Sequence, residues 1–197
     1  GKEQKYLKKI YKINRFMNKK DLYYTIWLTG ISSSGKTSLA INLYEKLIKV
    51  GISNVIYIDG DEYRKELNNL DYSSASRSNI SMQKAYSARK ENENGNHVIV
   101  TGISAKIKTR ERNKEIIGNY YEVFVKCSPR ICAERDKKKI YVKAEQGYYP
   151  NFPGINTEYE VSQNVDLIID TENNSLEECT ELLFNSAASL IKNNYCD

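Results

Sequence analysis

Nine consecutive residues near the start of the chain have the composition of a phosphate-binding loop. Residues 30–38 read GISSSGKTS, and residues 30–37 fit the pattern G-x-x-x-x-G-K-[S/T]. Glycines let such a loop curl so that successive backbone N–H groups point at phosphate oxygens, and the following helix adds its dipole. We expect Lys36 to reach the β- and γ-phosphates of a nucleotide and Thr37 to offer its hydroxyl to Mg²⁺. The other loop residues expected at the nucleotide are Gly30, Ser32, Ser33, Ser34, Gly35 and Ser38.

Two carboxylates follow a later apolar segment. Residues 54–58 read NVIYI and are followed by Asp59, Gly60 and Asp61. If the segment is a strand of an open parallel sheet, these carboxylates lie at the edge where ligands bind. A carboxylate there can hold Mg²⁺ through water, or can orient and deprotonate an attacking hydroxyl. Arg64, one turn later, is expected to face the same cleft as a ligand for an anionic substrate. The alternative role is structural, because Asp61 could also be the N-cap of a following helix.

The elements that must position these groups alternate between strand-like and helix-like segments. Continuous apolar runs such as Val-Ile-Val predict strands that are covered on both faces. The alternation predicts a three-layer α/β fold with a parallel sheet between two layers of helices. The predicted strands are 24–28, 54–58, 97–101, 121–125 and 165–169, and the predicted helices are 37–50, 76–94, 106–117, 129–136 and 175–192.

Residues 137–159 predict a lid. The stretch contains Gly147, Pro150, Pro153 and Gly154 and is long for a simple connection. A lid excludes water that would otherwise accept the phosphoryl group. After the phosphate loop, the chain has no Asn-Lys-x-Asp element that could recognise guanine, and it has no long insertion for mechanical work. A small-molecule kinase is therefore favoured over a GTPase or a motor ATPase.

Length, charge and composition limit the expected domain organisation and the expected partners. The chain has 197 residues and a net charge of +5, with much of the positive excess in a basic extension over residues 1–20. We expect one domain over residues 21–197, with the extension packed partly on it. No apolar run is long enough to span a bilayer, and the basic residues form no stripe with interleaved aromatics, so neither a membrane nor a nucleic acid is an expected partner.

The cysteines predict a reducing compartment. Cys127, Cys132, Cys179 and Cys196 show neither a C-x-x-C pair nor metal-ligand spacing with His97, the one histidine. The expected location is therefore cytoplasmic. Targeting to an organelle by the basic N-terminal extension stays an alternative.

Several sequence blocks, in order, resemble the adenylylsulfate kinases, a P-loop family that uses ATP to phosphorylate the ribose 3′-hydroxyl of adenosine 5′-phosphosulfate. The resemblance covers residues 24–169 and rests on GISSSGKTS, on IDGDEYRKELN and on EVFVKCSPRICAERDKKKIYVKAEQGYYPNFPGINTEYE. The family usually has Gly where Ser33 stands, so a positive φ there would strain this serine. Ile103 and Ser104 resemble the start of an Ile-Ser-Pro-Tyr block.

The resemblance implies a role for each matching residue. Lys36 and Thr37 would serve ATP and Mg²⁺, Asp61 would position or deprotonate the 3′-hydroxyl, and Arg135 would lie against the adenine of ATP. Tyr72 and Phe152 would stack on the two faces of the acceptor base. A homodimer is also implied. The full set of implied acceptor-binding residues is Asp59, Asp61, Arg64, Tyr72, Arg77, Asn79, Ile103, Ser104, Lys143 and Phe152.

The acceptor block departs from the family pattern. The family has Phe-Ser-x-x-Asp-Arg-x-x-Asn-Ile-Arg-Arg, whereas this chain reads YSSASRSNISMQ, with Ser81 and Met82 in place of two arginines. Each lost arginine removes charge-assisted contacts worth about 1.5–3 kcal/mol. Three hypotheses follow: an adenylylsulfate kinase, a kinase for the 3′-hydroxyl of another nucleotide conjugate such as cytidine diphosphoramidate, and a regulatory module that binds nucleotide. Intact Lys36, Thr37 and Asp61 argue against the third.

Overall fold

The computed structural model of the chain describes residues 23–69, 71–149 and 151–193. The predicted extension over residues 1–20 and Cys196 lie outside the described residues. In the described part, the strands are β1 (Thr25–Thr29), β2 (Val55–Ile58), β3 (His97–Thr101), β4 (Tyr120–Lys126) and β5 (Leu167–Asp170). The helices are α1 (Lys36–Lys49), α2 (Gly60–Glu66), α3 (Ser74–Glu93), α4 (Ile107–Ile117), α5 (Pro129–Arg135), α6 (Ile140–Glu145) and α7 (Leu176–Asn193).

The strands form one parallel sheet in the order β2-β3-β1-β4-β5. The central strand, β1, pairs with β3 through Thr25 and Val98, and with β4 through Thr25 and Tyr120. All residues of β1 and β3 are buried, as expected for strands covered on both faces. The loop that follows β1 therefore starts at the middle of the sheet edge, between the strands that carry the other candidate residues.

Two apolar layers cover the sheet. Because successive strand residues point to opposite faces, Ile26 and Leu28 pack with α1 and α7, while Trp27 packs with α3 and α4. The first layer contains Leu39, Leu43, Leu47, Leu183 and Ile191, and the second contains Ala85, Ala88, Val98, Val100 and Ile117. The predicted three-layer α/β fold is confirmed.

The lid differs from the prediction, because part of it is helical. Helix α6 lies inside the stretch that was expected to be irregular. The Asp136 carboxylate accepts a hydrogen bond from the backbone N–H of Tyr141 at 2.8 Å and stabilises the start of this helix. Tyr141 is buried in a third apolar cluster that includes Ile31 of the phosphate loop and Phe152. The lid is therefore anchored to the phosphate loop by packing.

One helix near the phosphate loop begins two residues earlier than predicted. Helix α3 begins at Ser74, because the Ser73 hydroxyl accepts a hydrogen bond from the backbone N–H of Ser76 at 3.1 Å. Helix α2 is short and follows β2 directly.

Among the described residues, no helix is long and apolar enough to cross a membrane. Cys127, Cys132 and Cys179 are buried free thiols.

Candidate active site

The phosphate loop connects β1 to α1, as predicted, and its conformation depends on two glycines. Gly30 has φ +142°, and a Cβ added there would lie 2.5 Å from the carbonyl oxygen of Val125 on the neighbouring strand. Gly35 has φ +100° at the N-cap of α1. Ser33 adopts φ +61°, the left-handed conformation that strains a serine. The loop thus keeps its curled backbone with a strained serine in place of glycine.

Lys36 folds back over its own loop. Its Nζ donates to the carbonyl oxygen of Ile31 at 2.6 Å and to the Ser34 hydroxyl at 3.4 Å. Removal from water lowers the pKa of Lys36 to about 8, although the nearby Asp61 carboxylate opposes this shift. The ammonium thus stays at the loop, and a polyanion bound there would raise the pKa of Lys36 and favour its charged form.

Asp59 caps helix α2, so the N-cap role falls on this residue and not on Asp61. Its carboxylate accepts hydrogen bonds from the backbone N–H of Asp61 at 2.9 Å and of Glu62 at 3.0 Å. The Tyr57 hydroxyl donates to the other carboxylate oxygen at 2.6 Å. Burial alone would raise the pKa of Asp59, but the hydrogen bonds from Tyr57, Glu62 and Asp61 outweigh burial and lower it. The Asp59 carboxylate is therefore ionised and held in place.

Asp61 is available for chemistry. Its side chain is 69 % exposed and faces the cleft beside the phosphate loop. The contact that holds it comes from the lid, where Lys138 Nζ lies 2.8 Å from Asp61 Oδ2. The Asp61 carboxylate also lies close enough to Lys36 to offset part of the decrease in pKa that burial causes in that lysine. The carboxylate therefore lies near both Lys36 of the loop and Lys138 of the lid.

A cleft of about 1870 Å³ opens in front of Asp61. It lies between α2, α3, the loop after β3 and the lid, and most of the predicted acceptor-binding residues line it. These are Asp61, Arg64, Tyr72, Arg77, Ile103, Ser104, Lys143 and Phe152. Asp59 lies behind the cleft in its capping network, and Asn79 is exposed on α3 and does not line the cleft.

The aromatic residues of the cleft are paired with arginines. The Arg64 guanidinium lies 4.6 Å from the ring centroid of Tyr72, and that of Arg77 lies 5.5 Å from the ring centroid of Phe152. Tyr149 contacts both rings, with its centroid 5.2 Å from Tyr72 and 6.2 Å from Phe152. Tyr72 and Phe152 thus face the same space, but a third ring lies between them. The sequence analysis did not predict Tyr149 as a site residue. The signal that could have indicated it is its position in a Gly-Tyr-Tyr-Pro segment of the predicted lid.

Arg135 lies at the other side of the phosphate loop, away from the cleft. Its guanidinium donates to the carbonyl oxygen of Thr171 at 2.8 Å. The Thr171 hydroxyl in turn donates to the carbonyl oxygen of Ser34 at 2.8 Å. Arg135 is therefore tied to the phosphate loop through Thr171, a residue that the sequence reasoning did not single out.

Lys84 is the third residue of the site that the sequence analysis did not predict. It lines the cleft from α3 but is only 3 % exposed. Its Nζ donates to the carbonyl oxygen of Thr101 at 2.7 Å. Burial lowers the pKa of Lys84 to about 8, against the attraction of Asp59 and Asp61. The cleft wall therefore holds a buried cation behind the turn that carries Asp61.

Comparison with known proteins assigns the chain to a family. The sequence profile of the family described as Adenylylsulphate kinase matches residues 23–170. The chain belongs to this family. The protein is thus an ATP-dependent kinase with the P-loop kinase fold.

Two curated relatives differ in the acceptor that their names state. The cytidine diphosphoramidate kinase of Campylobacter jejuni is 37 % identical over 166 residues, which cover 84 % of this chain and 96 % of the relative. The adenylyl-sulfate kinase of Synechococcus sp. strain JA-3-3Ab is 34 % identical over 166 residues, which cover 84 % of this chain and 94 % of the relative. Among solved structures, the Mycobacterium tuberculosis APS kinase CysC in complex with AMPPNP and APS has a TM-score of 0.78 at 30 % identity, covering 84 % of this chain and 98 % of that chain.

Proposed function

We propose that the protein is an adenylylsulfate kinase, which transfers the γ-phosphoryl group of ATP to the ribose 3′-hydroxyl of adenosine 5′-phosphosulfate. The observation that carries the proposal is the arrangement of Lys36 and Asp61. The first belongs to the phosphate loop, the second faces the acceptor cleft, and the two are close enough to interact electrostatically. A donor site and an acceptor site thus meet at one carboxylate.

Phosphoryl transfer at this point needs positioning and charge more than covalent help. The loop N–H groups and the Lys36 ammonium would bind the β- and γ-phosphates. The Asp61 carboxylate would orient the 3′-hydroxyl and accept its proton as the oxygen attacks the γ-phosphorus. The bond from this phosphorus to the β,γ-bridging oxygen breaks, and ADP leaves. The lid, packed on the phosphate loop, would exclude water.

Mg²⁺ fits the donor side of the site. Thr37 and Ser38 lie exposed at the first turn of α1, and Thr37 lies close enough to the Tyr57 hydroxyl to influence the pKa of Tyr57, whose hydroxyl donates to Asp59. Within the described residues, no group of three or more His, Cys, Asp and Glu side chains could hold a metal ion. This agrees with Mg²⁺, which is commonly held by substrate phosphates, water and one or two protein oxygens. Bound there, it would neutralise charge on the transferred phosphoryl group.

The two sides of the site would bind different nucleotides, ATP beside the phosphate loop and the acceptor in the cleft. Arg135, tied to the phosphate loop through Thr171, would lie against the adenine of ATP. Tyr72 and Phe152 would hold the acceptor base, and Tyr149 must move aside or serve as one of the two stacking rings. Arg64 and Arg77 would bind the anionic end of the acceptor.

An ADP-release assay with ATP, Mg²⁺ and a panel of acceptors tests the proposal. We expect adenosine 5′-phosphosulfate to stimulate ADP release strongly and its 3′-deoxy analogue to have no effect. The Lys36→Met variant is the control, since it removes the phosphate-binding ammonium. Preferential turnover of cytidine diphosphoramidate would overturn the assignment of the acceptor in favour of the activity that the Campylobacter relative's name states. Failure of every acceptor to stimulate ADP release would overturn the proposal itself.

The family resemblance also supports a homodimer. Sedimentation equilibrium of the full chain tests this expectation. A single species of twice the chain mass is the predicted result, and a monomer at micromolar concentration would contradict it.

A further inference from the structure

Lys84 is a buried cation that forms no direct ion pair among the described residues, although Asp59 and Asp61 lie close enough to attract it. Its Nζ makes one hydrogen bond, to the carbonyl oxygen of Thr101, and lies 5.2 Å from the ring centroid of Trp27. None of the ion pairs among the described residues includes Lys84. A buried ammonium is costly unless it is paired, and this one lines the acceptor cleft. The arrangement is therefore suited to an anion that arrives with the substrate.

Two glycines make room for the Lys84 ammonium. A Cβ added to Gly102 would lie 2.6 Å from Lys84 Nζ, and one added to Gly60 would lie 3.0 Å from it. Gly102 does not have a left-handed backbone, so free space and not conformation distinguishes glycine at this position. Gly60 lies between Asp59 and Asp61, so the ammonium packs directly behind the turn that carries the proposed base.

Lys84 also provides a positive charge close to the positions where the acceptor block lacks two arginines. The family resemblance places arginines where Ser81 and Met82 stand in this chain. Ser81 lies three residues before Lys84 on α3, so the two side chains share one face of the helix. Ser81 lines the same cleft, where its hydroxyl lies 3.1 Å from that of Ser104. A positive charge is thus present on this helix face, one turn beyond the position of the missing arginines.

We propose that Lys84 binds an anionic oxygen of the acceptor, in the phosphate-type group that a nucleotide conjugate carries at its 5′ end. Lys84 then acts as a substrate-binding residue in place of an arginine at position 81 or 82. This inference rests on the proposed function. It assigns the anionic end of the acceptor to three cations, Lys84, Arg64 and Arg77. Although burial lowers the pKa of Lys84 to about 8, most of the ammonium stays charged at neutral pH and can bind an anion.

The Lys84→Met variant tests the inference in the ADP-release assay with adenosine 5′-phosphosulfate. The substitution keeps an unbranched side chain and removes the charge. We expect the KM for the acceptor to rise about 10- to 100-fold, as for loss of a charge-assisted hydrogen bond, with the KM for ATP unchanged within about twofold. The melting temperature should stay the same or rise, because an unpaired buried charge is removed. Lys90→Met, on the exposed side of the same helix, is the matched control and should behave like the wild type.

A second variant keeps the charge and moves it. Gly102→Ala adds a methyl group that displaces the flexible end of Lys84, and it should raise the KM for the acceptor in the same direction as Lys84→Met. An unchanged acceptor KM in both variants would overturn the inference. A lower melting temperature with an unchanged acceptor KM would also overturn it, because Lys84 would then have only a structural role.

A binding measurement separates failure of this inference from failure of the proposed function. If the wild type turns over no acceptor, inorganic pyrophosphate is titrated calorimetrically into protein whose phosphate loop is filled with ADP and Mg²⁺. Binding to the wild type and to Lys90→Met that weakens at least fivefold in Lys84→Met supports an anion site at Lys84. Equal binding by all three proteins, or no binding by the wild type, overturns it.

Discussion

Lys138 of the lid forms an ion pair with Asp61, with Nζ 2.8 Å from Oδ2. This pair joins the lid to the carboxylate that we propose as the base. The hydrogen bond to Asp61 raises the pKa of Lys138, so the lysine is charged throughout the physiological range. Both side chains are largely exposed, 65 % for Lys138 and 69 % for Asp61, so the pair contributes little to stability. The consequence that we expect is functional, because in the proposed mechanism the acceptor hydroxyl competes with Lys138 for Asp61.

Lys138→Met should therefore lower the KM for the acceptor, by no more than about fivefold, because an exposed ion pair is worth less than about 1 kcal/mol. The free energy of unfolding in urea should change by less than about 1 kcal/mol for the same reason. Lys137→Met, at the neighbouring exposed lysine, is the control and should leave both quantities unchanged. A higher acceptor KM in Lys138→Met would contradict this prediction and would assign Lys138 to substrate binding.

Asp61→Asn separates the chemical role of this carboxylate from a structural one. We expect kcat to fall by about 10²- to 10⁴-fold, the range for loss of a general base, with the KM for ATP unchanged within about threefold. Asp59→Ala should instead lower the free energy of unfolding by about 1–2 kcal/mol, since it removes the N-cap of α2. Steady-state kinetics and urea denaturation of both variants provide the comparison. Equal loss of turnover and ATP affinity in Asp61→Asn would show that the residue acts mainly on metal or loop position.

Ser33→Gly tests the strain in the phosphate loop. The left-handed conformation of Ser33 costs about 1–2 kcal/mol, and glycine removes this cost but adds about 0.4–1 kcal/mol of unfolded-state entropy. The net expectation is a free energy of unfolding that is unchanged or higher by up to about 1.6 kcal/mol. Ser32→Gly, at a neighbour without a left-handed φ, should be destabilising. Equal destabilisation by the two substitutions in urea denaturation would show that Ser33 carries no strain.

His97 predicts a loss of stability between neutral and acidic pH. Burial lowers the pKa of this histidine from 6.5 to about 4. Between these two values the unfolded chain binds a proton that the folded chain does not, so the free energy of unfolding decreases as pH falls through this window and levels off below about pH 4. The contribution of His97 is up to about 3 kcal/mol. Urea denaturation of wild type and His97→Gln from pH 7 to 4 should give a steeper loss for the wild type, and parallel curves would refute the prediction.

Features that depend on local spacing were predictable from the sequence. The phosphate loop needs glycine at fixed positions between a strand and a helix, and residues 30–37 lie in this context in the structure. The strands were recognisable because a sheet covered on both faces requires continuous apolar runs. The carboxylates of Asp59 and Asp61 were predicted at the sheet edge for the same topological reason.

Features that depend on distant segments were not predictable. A lysine in a helix is usually solvent-exposed, whereas the ammonium of Lys84 fits in the interior beside Gly60, at the start of α2, and Gly102, in the loop after β3. Helix α6 was missed because its burial comes from contact with the phosphate loop and Phe152. The choice of Asp59 as N-cap depends on the exact start of α2, since a shift of two residues would have exchanged the roles of the two carboxylates.

The most direct test of the central claim is to follow the γ-phosphoryl group itself. The protein is incubated with ATP labelled at the γ-phosphate, Mg²⁺ and adenosine 5′-phosphosulfate, and the labelled product is identified by mass spectrometry and ³¹P NMR. We predict that the label appears on the ribose 3′-oxygen, as 3′-phosphoadenosine 5′-phosphosulfate, with one ADP released for each product formed. Label recovered only as inorganic phosphate, or ADP release that adenosine 5′-phosphosulfate does not change, would contradict the account.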